Sequence, residues 1–287
     1  MDLGLKGKTA VVTGGSQGIG FATAKQFLEE GCRVAICART ESTLQEAAAE
    51  LSQYGEVYYE VVDVTKDEAI YQFAENVYQK FGSIDCWVNN VGKQVVKQGM
   101  EFTDEDVNWI TGMCFKSAIF GSQAAFRYMR KQASGGAIVN ISSLAARCPS
   151  AGRSSLYGPL KAAIINLSTC LAGEYAAWGV RVCAVLPGFT ATKTALTRNS
   201  KDRLQYAMNE TLLQRLGTPE EVANAIVFLC SERASYITAT SLDVTGGRAV
   251  TLNPRYSVML RADEEGTEFD DPTGAYNASH ERMKEHT

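Results

Sequence analysis

Residues 9–20 read Thr-Ala-Val-Val-Thr-Gly-Gly-Ser-Gln-Gly-Ile-Gly. A short β-branched apolar run passes into a glycine-rich turn, and from Ile19 an amphipathic helical pattern follows as far as Glu30. Glycines in such a turn let the backbone bend sharply and approach a ligand closely. The helix behind them presents unpaired N–H groups and the positive end of its dipole. Together these features suit a nucleotide pyrophosphate. Glycines alone also make plain structural turns, so the reading depends on this turn following the first strand of a β-α-β series.

That series extends outward from residue 20. Apolar runs at Arg33–Cys37, Val57–Val62, Cys86–Val88, Ala137–Ile141, Arg181–Leu186 and Ser241–Val244 alternate with helical patterns at Glu41–Tyr54, Asp67–Phe81, Asp104–Gln132, Ser155–Trp178 and Pro219–Ser231. Continuous apolar strands separated by helices indicate a parallel sheet covered on both faces. The right-handed crossover rule then gives an α/β fold: a single Rossmann-like, doubly wound domain with a parallel sheet of about seven strands and helices on both faces. Residues 1–247 form this domain in the expectation. Residues 188–218, which carry a polar helix, form a candidate substrate lid. Residues 248–287 show little periodicity and are expected to be a flexible or partner-contacting acidic extension.

Composition excludes several classes. The net charge is −4, and residues 261–287 hold eight acids against three bases, so the rest of the chain stands near +1. No clustered Lys and Arg indicates nucleic-acid binding. No secretory signal pattern and no apolar run of about 18 residues is present, so the expected setting is the cytoplasm, away from membranes. Eight cysteines occur without a C-x-x-C spacing, which points to reduced buried thiols, neither a zinc site nor a disulfide framework. The only histidines, His280 and His286, lie in the tail, so a Ser-His-Asp hydrolase or a His-rich metal site would lack its central residue. No metal is expected.

The end of the second strand, where the ribose of a bound dinucleotide would lie, reads Cys37-Ala38-Arg39-Thr40. An acid there would bind the ribose hydroxyls and repel a 2′-phosphate. Arg39 instead offers charge-assisted hydrogen bonds to such a phosphate. NADP(H) is therefore favoured over NAD(H), although Gln17 occupies a loop position where a second base would have helped.

With the turn at 13–20, Asn89-Asn90-Val91-Gly92, Ser142-Ser143 and Tyr157-Gly158-Pro159-Leu160-Lys161 in order, the chain resembles the short-chain dehydrogenase/reductase family over about residues 5–247. The resemblance implies that Gly14, Gly18, Ile19 and Gly20 hold the pyrophosphate, with Ser16 and Gln17 of the same turn also binding the cofactor. It implies that Asp63 and Val64 contact adenine and that Asn90 and Gly92 line the cofactor site. Pro187, Gly188, Thr190 and Thr192 match the segment that holds the nicotinamide carboxamide. It also implies a homotetramer or homodimer. Apolar stretches in 104–132 and 155–178 could serve such an interface, though burial against their own sheet accounts for much of the same pattern.

Tyr157 and Lys161 are spaced i,i+4 and share a helix face. A phenol titrates near 10, and a neighbouring ammonium together with an oxidised nicotinamide would lower that value. Tyr157 then gives a proton to a carbonyl oxygen as hydride reaches carbon, or takes it back in reverse, and Ser143 hydrogen-bonds the developing oxyanion. Ser142 is the competing serine. Pro159 is tolerable inside a helix's first turn, where its missing N–H is not needed.

One departure stands out. The position where the family has a relay Asn falls on Cys114, and Asn108 lies more than a turn earlier; a thiol cannot reproduce an amide. The leading expectation is hydride transfer between NADP(H) and a ketone or secondary alcohol. The alternatives are an NAD-linked alcohol dehydrogenase of the same fold, or a nucleotide-binding regulator or scaffold with weak turnover. The substrate is not readable from the residues. Residues 188–218 loosely favour a neutral, partly apolar small molecule, although Lys193, Arg198, Lys201 and Arg203 could supply a basic cluster.

Overall fold

The seven strands form one sheet in the order β3-β2-β1-β4-β5-β6-β7, with every neighbouring pair parallel. The computed structural model describes residues 2–149, 155–248, 250, 254–267 and 269. In chain order the first half is β1 (Thr9–Thr13), α1 (Gly18–Glu29), β2 (Arg33–Ala38), α2 (Glu41–Leu51), β3 (Val57–Val61), α3 (Asp67–Phe81) and β4 (Cys86–Asn89). Then come α4 (Asp104–Thr111), α5 (Ser117–Met129), β5 (Gly136–Ile141), α6 (Tyr157–Tyr175), β6 (Val180–Pro187), α7 (Lys193–Arg198), α8 (Lys201–Asn209), α9 (Pro219–Cys230), β7 (Ser241–Val244) and α10 (Tyr256–Glu265).

Alternate strand residues face opposite sides, and each side has its own core. Val12, Ile36, Val88, Val139 and Val185 pack with α1, α2 and α9 through Phe27, Leu44 and Ile226. Val11, Ala35, Trp87, Ile138 and Val182 pack with α3, α5 and α6 through Phe73, Met129 and Leu171. This two-sided burial is why inner strands such as β1 and β4 read as apolar runs, whereas the edge strands β3 and β7 are less buried. The start of α9 is fixed by a reciprocal pair: Thr218 Oγ1 accepts from the Glu221 N–H, and Glu221 Oε2 accepts from the Thr218 N–H at 2.8 Å.

Three local features differ from the sequence expectation. The single helix expected over 104–132 is interrupted by a π-turn at Gly112–Lys116, which separates α4 from α5 and contains Cys114. The helix expected to run to Trp178 ends as α6 at Tyr175, and Ala176–Trp178 tightens into a 3₁₀ turn. Within the acidic extension α10 forms, buries Met259 and Ala262, and stops at Gly266, whose φ is 65°. Both histidines and the acids from Asp270 onward lie outside the described residues.

The chain forms two compact units. The larger comprises the described residues up to Arg198 together with Gly217–Thr245, and it holds the whole sheet. The smaller comprises Asn199–Leu216 and the described residues from Gly246 onward. Its two segments are joined by the Leu213 N–H donating to Gly246 O at 3.2 Å and by Arg248 facing Glu210 at 3.9 Å. The boundary falls inside the segment expected to form a lid. None of the eight cysteines forms a disulfide; six are buried and two, Cys148 and Cys170, are exposed. Among the described residues, no helix is long and apolar enough to cross a membrane.

Candidate active site

The strand order reverses between β1 and β4, and ligands of open α/β sheets bind at such a switch, beyond the carboxyl ends of the strands. The turn at 14–20, Arg39, Asp63, Asn90, Ser143 and Pro187-Gly188 all follow or finish strands at that edge. The parallel topology thus brings together residues that lie far apart in the chain.

The turn is shaped for close approach. Gly14 and Gly18 have φ of 66° and 56°, and a Cβ on Gly20 would stand 2.3 Å from Gly14 O. Gln17 occupies the N-cap of α1 without a side-chain cap bond, so the helix's first N–H groups are not capped by that side chain. Asn90 braces the turn from β4: its Nδ2 donates to Thr13 O at 3.1 Å and to Gly14 O at 3.2 Å. Ser16 and Ile19 are half-buried beside it. From the other side, Thr192 approaches Gly18 closely enough that a Cβ there would lie 3.2 Å from Thr192 Cγ2. Thr192 is itself fixed by accepting from the Ala195 N–H at 3.1 Å.

The remaining binding candidates surround this turn. Arg39 is exposed directly after β2. Asp63 Oδ1 accepts from Thr65 N at 3.1 Å and from Thr65 Oγ1 at 2.8 Å, which orients the loop, and Val64 beside it is buried. Gly188 donates its N–H to Val244 O at 2.9 Å, and the Thr190 hydroxyl donates to Gly188 O at 3.3 Å. A glycine cradle and a helix N-terminus without a side-chain cap fit a nicotinamide dinucleotide.

The polar trio sits past β5 and at the start of α6. The two serines have different duties: Ser142 is buried and donates to Lys161 O at 2.7 Å, whereas Ser143 bonds the Tyr157 phenol and accepts from Ala145 N at 3.2 Å. Ser142 therefore spends its hydroxyl holding α6 to β5, and Ser143 is the serine presented to Tyr157. Pro159 falls within the first turn of α6, as the residue pattern requires. Lys161 Nζ donates to Ile141 O at 2.7 Å and lies 5.7 Å from the Tyr157 ring centre. Gly92 gives it room, because a Cβ at that position would stand 2.8 Å from Lys161 Nζ.

The electrostatics differ from the expectation that the ammonium holds the phenol low. Burial, with the Cys114 thiol adding to it, pushes Tyr157 above the usual tyrosine value, and the Ser143 hydrogen bond pulls weakly the other way. Burial also lowers Lys161 from its ordinary value. The chain's own groups thus favour a neutral phenol, the form that donates a proton. Cys114 is buried in the π-turn, and its thiol donates to Lys93 O at 3.4 Å.

A buried side-chain network behind the site was not anticipated from the residues. Trp87 Nε1 donates to Asn89 Oδ1 at 2.8 Å, and Asn89 Nδ2 donates to Asn140 Oδ1 at 2.8 Å and to Ser122 Oγ at 3.1 Å. Asn140 Nδ2 donates to Ser168 Oγ at 3.0 Å, so β4, β5, α5 and α6 share one polar tie. The available signal was an asparagine within or closing each of two otherwise apolar strand runs.

Comparison with known proteins gives the family. Residues 14–249 match the family described as enoyl-(acyl carrier protein) reductase. The 3-oxoacyl-(acyl-carrier-protein) reductase FabG of Chlamydia muridarum is 38% identical over 251 residues, covering 85% of this chain and 98% of that protein. The 7alpha-hydroxysteroid dehydrogenase of Clostridium sardiniense is 33% identical over 257 residues, covering 88% of this chain and 97% of that protein. L-sorbose reductase from Gluconobacter frateurii, solved with NADPH and L-sorbose, superimposes with a TM-score of 0.82 at 34% identity, covering 88% of this chain and all of that one. The chain belongs to the short-chain dehydrogenase/reductase family, whose members are nicotinamide-dependent oxidoreductases.

Proposed function

We propose that the protein is an NADP(H)-dependent reductase of ketones, working reversibly on secondary alcohols, with Tyr157 as proton donor. The single observation that carries this reading is the Tyr157 phenol, raised by burial and bonded to Ser143, with Lys161 anchored on the same helix face. NADPH, held by the 14–20 turn with its 2′-phosphate at Arg39, would supply the hydride when bound. A substrate carbonyl oxygen placed between Ser143 Oγ and the Tyr157 hydroxyl receives a hydrogen bond from the serine and the proton from the phenol. Lys161 keeps a cationic donor close to that phenol while its bond to Ile141 O fixes where the charge sits. Asn90 works indirectly, holding the turn in shape. Self-association as a homodimer or homotetramer belongs to the same reading and is checked by sedimentation velocity.

The test is a panel of ketones and secondary alcohols, followed at the nicotinamide absorbance band with NADPH and with NADH, for wild type and Tyr157→Phe. Turnover with NADPH that the variant loses is the expected result. Preference for NADH would transfer the protein to the NAD-linked alcohol dehydrogenases. NADPH binding without turnover anywhere in the panel would leave a nucleotide-binding scaffold.

A further inference from the structure

We propose that the smaller unit carries a binding site for an amphipathic monocarboxylate, a single negative charge on an aliphatic body, with Arg255 as its anchor. The site is a cavity of about 730 Å³ within that unit, inside the ~300–1,000 Å³ range of small-molecule pockets. Leu212 and Leu213 from one segment, with Val258 and Phe269 from the other, supply apolar wall. Leu213 remains 60% exposed, so this wall has apolar surface left to cover.

Charge selects the head group. Among the described residues, three charged ones line the cavity: Arg255, Arg261 and Glu265. Arg261 and Glu265 pair at 3.1 Å one turn apart on α10, which cancels that charge. Arg255 is left as the surplus cation. Its guanidinium lies 4.6 Å from the Phe269 ring centre, and its Nε is buried with no hydrogen-bond acceptor among the described residues. A buried charged donor without an acceptor is costly, and an anion that accepts from it removes that cost. One surplus charge matches a monoanion; a phosphate dianion would carry one charge too many. The ring beside the guanidinium and the leucines opposite then require the anion to bring an apolar body.

The experiment is titration calorimetry of the full-length protein with octanoate and with octan-1-ol, which have the same carbon count but differ in head-group charge. It reads binding directly and needs no turnover, so its outcome is independent of the reductase reading. Wild type is expected to bind octanoate with a Kd below about 1 mM and octan-1-ol at least tenfold more weakly. Arg255→Gln is expected to lose at least tenfold for octanoate, while Arg261→Gln combined with Glu265→Gln, which removes the cancelling pair together, keeps most of the affinity. An unchanged far-UV circular dichroism spectrum shows that α10 is intact in each variant. No octanoate binding by wild type overturns the proposal, as does equal affinity for the alcohol or an Arg255→Gln protein that binds as wild type does.

Discussion

Asn89 and Asn140 face each other in register on adjacent strands, and their side chains are hydrogen-bonded at 2.8 Å. The strands are thus tied twice, through backbone and side chain, immediately before each enters the site: Asn90 follows the first and Ser142-Ser143 shortly follows the second. Position 121 has no room beside this tie, since a Cβ on Gly121 would stand 1.9 Å from Asn89 Oδ1 and 2.9 Å from Trp87 Nε1. Gly121→Ala is expected to destabilise the fold by about 1–3 kcal/mol, read as a lower denaturant midpoint. A variant as stable as wild type would show that the network yields without cost.

Tyr157 is held above its ordinary value by burial first and the Cys114 thiol second. Reduction needs the phenol and oxidation the phenolate. Reductive kcat/KM should therefore stay flat between about pH 7 and 10, while the oxidative value climbs over the same interval. Tyr157→Phe should lower both by about 10²–10⁴-fold, the usual scale for a lost acid–base group. A reductive rate that falls with an apparent pKa near neutrality would contradict the assignment.

Arg39 is the residue whose motif position offers it to a 2′-phosphate in the proposed reading. Arg39→Ala should raise the Kd for NADPH about 10–100-fold, the scale of a lost hydrogen bond to a charged group, and leave NADH within about twofold. Fluorescence titration with both dinucleotides decides it; equal losses for the two would make Arg39 a general contact.

Cys114 gives its thiol hydrogen to Lys93 O rather than to the lysine of the trio. If protons reach Tyr157 by another route, Cys114→Ala should keep kcat within about twofold, as expected for a weak hydrogen-bonding group. A tenfold loss with unchanged KM would place the thiol on the proton path.

Asp106 is pulled down to about 2, chiefly by Lys97 Nζ at 2.5 Å and then by the Thr103 N–H. A carboxylate lowered in the folded state contributes stability that is present above its unfolded value and is lost as pH falls through about 2. The melting-temperature gap between wild type and Asp106→Asn should therefore be widest above pH 4 and close toward about pH 2.

The sheet and the glycine turn were legible because burial on both faces writes itself into unbroken apolar runs, and because the turn follows β1 directly. The Tyr157-Lys161 pair was legible from its place among the ordered motifs of the family resemblance, since its helical spacing alone is common in surface pairs. The asparagine tie was not, since its partners lie 51 residues apart and nothing local marks them as a pair. Helix α10 was hidden because only Met259 and Ala262 are buried in an otherwise acidic stretch. The division of 188–218 between two units left no mark in composition. The direction of the Tyr157 shift depends on how deeply the phenol is enclosed, which residue spacing does not encode.

The π-turn at Gly112–Lys116 gives the α4–α5 segment two hydrophobic clocks instead of one. Each residue of an α-helix advances its face by about 100°, so widening one turn by a residue rotates everything before Gly112 out of phase with everything after Lys116. A chimera that transplants an uninterrupted helix into 104–129 would keep one half in step with the sheet and swing the other half's apolar stripe toward water. Deleting one residue inside 112–116 would instead remove the residue that the wide turn absorbs and leave both halves facing as they do now. Grafts should accordingly be cut at that turn, with each half aligned on its own period.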